Sequence, residues 1–221
     1  MSPTAAIVLL WAGFAGTHLL LSSLPVRQRI VTAIGAQPFL GLYSLVALGF
    51  FVPLVRTYFA HKHAGDWWWG IPHGPALRGA MYLLMAVAFI LMVAALARPS
   101  PAAVVPGDPT PRGIYRITRH PLMMAFVVFG LAHLLPNGSS ADVAFFGGFV
   151  LFSLVGAAHQ DARKRALGTP GFTTFTAGSP FVPFTGGASA QGLRELSPVV
   201  VGLGILVTVV VRWFHALWFG G

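Results

Sequence analysis

The chain has no cysteine. That excludes disulfides, thiolate nucleophiles, cysteine zinc sites and thiolate-held iron–sulfur clusters. Charge is also scarce. Only 9% of the 221 residues are Asp, Glu, Lys or Arg, where a soluble domain carries about 25%. Acidic residues are the rarest, with Asp and Glu together numbering 5 against 14 Lys and Arg. Low charge with 56% hydrophobic residues and a mean hydropathy of +0.76 excludes a water-soluble globule. It equally excludes a disordered chain, which needs low hydrophobicity and high charge. A net charge of +9 on a soluble protein would point to nucleic acid. On a membrane protein it marks cytoplasmic loops in contact with anionic lipid. The partners expected are therefore the bilayer and anionic lipid at those loops, and no nucleic acid.

What is present in abundance is apolar sequence. A helix crossing a bilayer needs about 20 mostly apolar residues. Ala5–Leu24, Pro38–Phe59, Ala76–Ala97, Pro121–Leu135, Ala141–His159 and Pro198–Trp218 meet or approach that length. The fold expected is an all-α integral membrane protein, a bundle of about six transmembrane helices in one domain over residues 1–221. Pro53 is an expected kink. The fourth span is short and runs into Pro136-Asn137-Gly138, which reads as a turn. Tilt, a membrane-buried loop or a start before Pro121 would accommodate it. Met1–Thr4 lacks the basic stretch of a cleavable signal, so the first helix is expected to be retained.

Basic residues in short loops set the orientation. Arg27 and Arg29, then Arg98, Arg112, Arg116 and Arg119, then Arg163, Lys164, Arg165 and Arg194 fall on one side. Arg56, Lys62, Arg78 and Arg212 fall on the other. The first side is expected to be cytoplasmic, with both termini periplasmic and Trp67-Trp68-Trp69 in an outer aromatic belt. Pro99–Thr118 and Gly168–Ser197 read as cytoplasmic loops, with Phe172, Phe175, Phe181 and Phe184 free to dip among the headgroups. Gly13, Gly16, Gly147 and Gly148 suit close helix packing, within or between chains.

Ionisable residues inside apolar helices are costly and mark functional sites. His18 lies in the first span among Gly13, Gly16, Thr17 and Ser22. His133 lies in the fourth, on one face with Phe126, Phe129 and Gly130. His159 ends the fifth. His120 opens the fourth span within Arg119-His120-Pro121. Any one of them alone reads as a packing residue. Two buried imidazoles on different helices suit a metal, and as axial ligands they suit haem. No Met-rich copper site is present, and no buried carboxylates for a di-iron site are expected. Aromatic walls with nearby glycines favour a flat apolar cofactor. Haem b fits because it needs no covalent cysteine, with Arg27, Arg29, Arg116, Arg119 and Arg163 as partners for its propionates. The Arg119-His120-Pro121 segment reads equally as a helix start and as an anion site. Asp161 reads as a surface ion pair or as a carboxylate fixing the His159 tautomer.

In order along the chain, His18-Leu19-Leu20-Leu21-Ser22-Ser23, Pro25-Val26-Arg27, Gly41-Leu42-Tyr43-Ser44, Arg119-His120-Pro121, Ala132-His133 and His159-Gln160-Asp161 resemble the NnrU family of bacterial membrane proteins. The resemblance places the chain in a bacterial inner membrane. That family is associated with nitric-oxide and nitrite metabolism in denitrifiers. It is also similar to plant and cyanobacterial zeta-carotene isomerase, a haem b membrane enzyme acting on a central cis double bond of a carotene. The resemblance implies His18 and His133 as axial metal ligands, His120 and His159 as further cofactor-site histidines, and an apolar polyene-like substrate. Where the carotenoid enzyme has a cysteine, three residues before its second histidine, this chain has Gly130.

Helix rise puts His18 about 9 Å and His133 about 21 Å from the cytoplasmic end, a depth gap of about 12 Å. Tilt or a re-entrant fourth span would close it; otherwise His18 pairs with His120 or His159. A second resemblance, of Arg119-His120-Pro121 and of Leu167-Gly168 through Pro180-Phe181-Val182-Pro183, is to isoprenylcysteine carboxyl methyltransferases. It implies S-adenosylmethionine, but His159-Gln160-Asp161 stands where those enzymes have an acidic pair. Three functions follow: a haem-dependent isomerase or redox enzyme, a membrane methyltransferase, or a non-catalytic haem carrier or assembly factor.

Overall fold

Proline and small polar residues set the helix starts. Ser2 caps α1 (Pro3–Ser22), its hydroxyl accepting the Ala5 N–H at 3.2 Å. Pro3 sits in the first turn, where its missing N–H costs nothing. The helix stops at Ser22, and Pro25 falls in the first turn of α2 (Leu24–Ile34), which buries no residue and carries Arg27 and Arg29. Gly35, at φ 88°, turns the chain into α3 (Ala36–Ala60), which contains Pro53. There follow β1 (Trp67–Gly70), α4 (Pro75–Ala97), α5 (Ile114–Ile117), α6 (Pro121–Leu134), β2 (Asn137–Ser139), α7 (Ser140–Ala166), α8 (Phe172–Ala177), α9 (Ser189–Arg194) and α10 (Pro198–Phe219). This computed structural model describes residues 1–72, 74–99, 101 and 108–220.

The chain is an all-α membrane bundle. Five helices, α1, α3, α4, α7 and α10, are long and apolar enough to cross a membrane, and α6 is a shorter apolar one. Neighbours follow the order α3, α1, α7, α6, α4, α10, and the ends of α3 and α10 also meet, with Phe59 stacked on Phe219 at 6.1 Å. α1 and α7 run parallel: Thr4 meets Ser140 at 2.9 Å at one end, and Ser22 meets His159 at 3.0 Å at the other. α6 runs antiparallel to α7, with His120 beside Asp161 and His133 beside Phe146. One core joins Ile7, Trp11, Leu54, Tyr58, Phe145 and Phe146 across α1, α3 and α7. The other joins Leu91, Ile114, Tyr115, Met124, Phe172 and Phe175.

Several local expectations are corrected. α7 continues to Ala166, so His159 is inside the helix and not at its end. The turn expected at Pro136-Asn137-Gly138 is instead largely β2, paired antiparallel with β1. α6 has 14 residues, about 21 Å of helix against a hydrocarbon core of about 30 Å. The β pair finishes its open end: the Trp69 indole N–H donates to the Leu134 carbonyl at 2.9 Å. Gly138 is required there, because a Cβ would lie 2.2 Å from the Trp69 carbonyl oxygen. Of the two expected loops, Pro99–Thr118 lies partly outside the described residues. Gly168–Ser197 folds into α8 and α9, and Phe172 and Phe175 are core residues at 2% and 0% exposure, not headgroup anchors. Gly13 packs on Phe50 and Gly148 on Trp11, both within the chain, while Gly16 and Gly147 face open space.

Candidate functional site

His18 projects from α1 into an aromatic collar. Its ring stacks on Phe14 at 5.1 Å, lies 4.5 Å from Tyr43 of α3 and meets Phe152 of α7 edge-on at 5.3 Å. Its Nδ1 is buried and has no hydrogen-bond partner. Leaving such an atom unpaired costs about 1–3 kcal/mol.

His133 occupies a second aromatic pocket, 4.6 Å from Phe146 and 4.3 Å from Phe129. Its Nδ1 sits 2.8 Å from the Phe129 carbonyl oxygen. A carbonyl only accepts, so Nδ1 carries a proton and donates. His18 touches α7 at Phe152 and His133 touches it at Phe146, a difference of about 9 Å along the helix. Trp11 and Phe149 fill the interval, 5.1 Å apart, with Phe129 a further 5.2 Å from Phe149. α1 and α6 each pack on α7. The two imidazoles therefore lie at different levels of α7, each in its own set of aromatic contacts.

The other two histidines are engaged elsewhere. His120, 1% exposed at its side chain, donates from Nε2 to Asp161 Oδ1 at 2.8 Å. Arg119 donates to the same carboxylate from Nε at 2.8 Å and from a terminal nitrogen at 2.6 Å, and to the Ser179 carbonyl at 3.0 Å. Asp161 is thus no surface ion pair, and it orients His120 rather than His159. Its partners leave Arg119 committed inside the protein. His159 instead shares a hydrogen bond with Ser22.

A cluster not foreseen from sequence lies at the opposite end. Asp142, fully buried, accepts from Tyr58 Oη at 2.8 Å, His63 Nδ1 at 2.9 Å and Ser139 Oγ at 2.7 Å. With Asp161 at 2% exposure, it overturns the expectation of no buried carboxylates. The signal was Ser139-x-x-Asp142, a helix-capping spacing before an apolar run. His63, at φ 59°, has no comparable signature.

The family model for the NnrU protein matches residues 6–221. The chain belongs to the NnrU family. It is 27% identical over 192 residues to the 15-cis-zeta-carotene isomerase of Arabidopsis thaliana chloroplasts, covering 83% of this chain and 50% of that one. It is 25% identical over 198 residues to the same-named protein of Zea mays, covering 88% and 53%. This NnrU chain thus spans about half the length of the curated relatives it matches. No solved structure matches it.

Among the described residues of this NnrU protein, no group of three or more His, Cys, Asp or Glu is placed to hold a metal ion. Haem asks for less: one or two imidazoles, apolar walls and cations for its propionates. His18 fits, through its unpaired nitrogen and its aromatic collar. Arg163, whose buried Nε is also unpaired, fits the propionate role. His18 and His133 meet α7 about 9 Å apart along its axis, at Phe152 and Phe146.

Proposed function

We propose that this NnrU protein is a membrane-embedded isomerase of apolar, polyene-like molecules that binds haem b through His18. The observation that carries the reading is the buried, unpartnered Nδ1 of His18 within a collar of Phe14, Tyr43 and Phe152. The name of the plant relatives supports the reaction class. Haem bound there would supply a redox-switchable iron centre beside an apolar wall. The chain's own residues do the rest. Phe14 and Phe152 exclude water and offer flat faces to a conjugated chain. Tyr43 packs its ring against His18. Arg163 and Arg27 supply positive charge at the basic end. His133 stands in a separate aromatic pocket, beside Phe129 and Phe146.

The Arg119-His120 segment, whose charge is committed to Asp161 and Ser179, gives the methyltransferase reading no comparable support. The test is an absorption spectrum of detergent-purified protein, oxidised and then dithionite-reduced. A Soret band with sharp α and β bands on reduction is expected, abolished by His18→Ala and retained by His120→Ala. Absence of a Soret band after haem is supplied during expression overturns the cofactor. Turnover of a cis-polyene by the reduced protein alone supports isomerisation. Haem binding without turnover favours the carrier reading, including a helper role in nitric-oxide metabolism. S-adenosylmethionine binding lost in His120→Ala favours the methyltransferase.

A further inference from the structure

Arg163 is an unusual arginine for this chain. Its Nε is buried and makes no hydrogen bond. Arg27 lies close enough to repel it. The acids are all engaged or distant. Asp161 is taken by Arg119, His120 and Arg165. Asp108 pairs with Arg98 and Glu195 with Arg116. Asp142 lies at the other end of the bundle with Tyr58 and His63, and Asp66, whose carbonyl accepts the Ser140 N–H, is there too. A guanidinium with a desolvated, unpaired donor, a second arginine nearby and no carboxylate within reach is unfavourable unless an anion completes the group.

The surroundings supply further polar contacts. Tyr43 lies beside both Ser22 and Arg163. Ser22 joins His159, which is one helical turn from Arg163 on α7. The unpaired nitrogen of His18 is one turn before Ser22 on α1. Arg27 is seated over Phe39, 5.4 Å from the ring centre. Exposed leucines on the same turns, Leu20, Leu40 and Leu42, offer a surface for an alkyl chain.

We infer that the basic ends of α1, α3 and α7 form a site for the oxyanion head of an amphiphile, a carboxylate or a phosphate, with Arg163 as its principal donor. Ser22 and Tyr43, whose hydroxyls donate to the Leu19 and His18 carbonyls in this structure, line the site and turn their O–H groups to the anion when it binds, and Arg27 supplies the second positive charge. The site needs no iron and stands whether or not His18 ligates haem.

Isothermal titration of the purified chain in an uncharged detergent tests it, with dodecyl phosphate and laurate as probes. Wild type should bind at least one of them. Arg163→Gln should weaken binding tenfold or more, and Tyr43→Phe, which removes only a hydroxyl, several-fold. Arg112→Gln, an exposed change elsewhere on the basic side, should leave binding unchanged. Failure of wild type to bind either probe overturns the site, as does equal affinity in Arg163→Gln and Tyr43→Phe. Three arms separate the sources. Arg163-dependent binding of inorganic phosphate identifies a free oxyanion site. Displacement of dodecyl phosphate by iron-free protoporphyrin identifies the carboxylates of a cofactor. Binding of the amphiphiles with neither effect identifies a lipid headgroup. Because no probe contains iron, this outcome is independent of the spectrum that tests the haem reading.

Discussion

Asp161 holds two cationic or polar partners from the preceding span in place, and its side chain is 3% exposed. Removing one member of such a group leaves the others buried and unpaired, at a cost of about 3–5 kcal/mol. Asp161→Ala is expected to destabilise the purified protein by that order in a denaturant titration, with Asp161→Asn losing less because it keeps an acceptor. Gly130 is a second decisive residue. A Cβ there would stand 2.6 Å from the Phe146 carbonyl oxygen and 2.8 Å from Val150. Gly130→Cys is therefore expected to cost about 1–3 kcal/mol through overpacking. Unchanged stability would mean that α6 and α7 separate more readily than their contact implies.

Between the long helices, small elements fix the ends. The β1–β2 pair caps α6 through Trp69. On the basic side Glu195, at the end of α9, ties α5 down. It accepts the Gly113 N–H at 2.7 Å, pairs with Arg116 at 3.0 Å and accepts from Gln191. The Gly113 hydrogen bond, then Arg116 and Gln191, hold its carboxyl below the ordinary glutamate range. The charged form is thus favoured in the folded state. Its contribution is present above the unfolded value of about 4.3 and is lost as pH falls through the lower folded value. The thermal stability of wild type should exceed that of Glu195→Gln near neutral pH, and the difference should close as pH drops below about 4. A difference constant down to pH 2 would show that the carboxylate charge contributes nothing.

For the whole molecule, the contacts divide the chain into two ends. Thr4, Trp67–Gly70, Asn137–Ser139 and the Lys62 contact with Phe219 gather at one end. The basic loops, α2 and Asp161 lie at the other. Lacking cysteine, the chain accepts single-cysteine reporters cleanly. Ser2→Cys and Asp66→Cys are expected to react with an impermeant thiol reagent from the same side of the membrane. Arg29→Cys and Arg194→Cys should react only from the opposite, positively charged side. Reaction of Ser2→Cys and Arg29→Cys from one side would refute the crossing of α1.

The sequence by itself determined the bundle, its spans and its two ends. Apolar run length is a property of contiguous residues, and a bilayer reads it directly. It also marked His18, His120, His133 and His159, because ionisable groups stand out in apolar helices. What each histidine touches was decided only in three dimensions. Asp161 is two residues from His159, yet 100° per residue turns it to α6, where it meets Arg119 and His120. Helix rise showed that His18 and His133 differ in depth, but not that each would have its own set of aromatic contacts on α7. Asp142 gave only a capping signal, because its partners Tyr58 and His63 come from a distant helix end. The unpaired nitrogens of His18 and Arg163 are visible only once every neighbour has been placed, since a missing partner is a property of the whole fold.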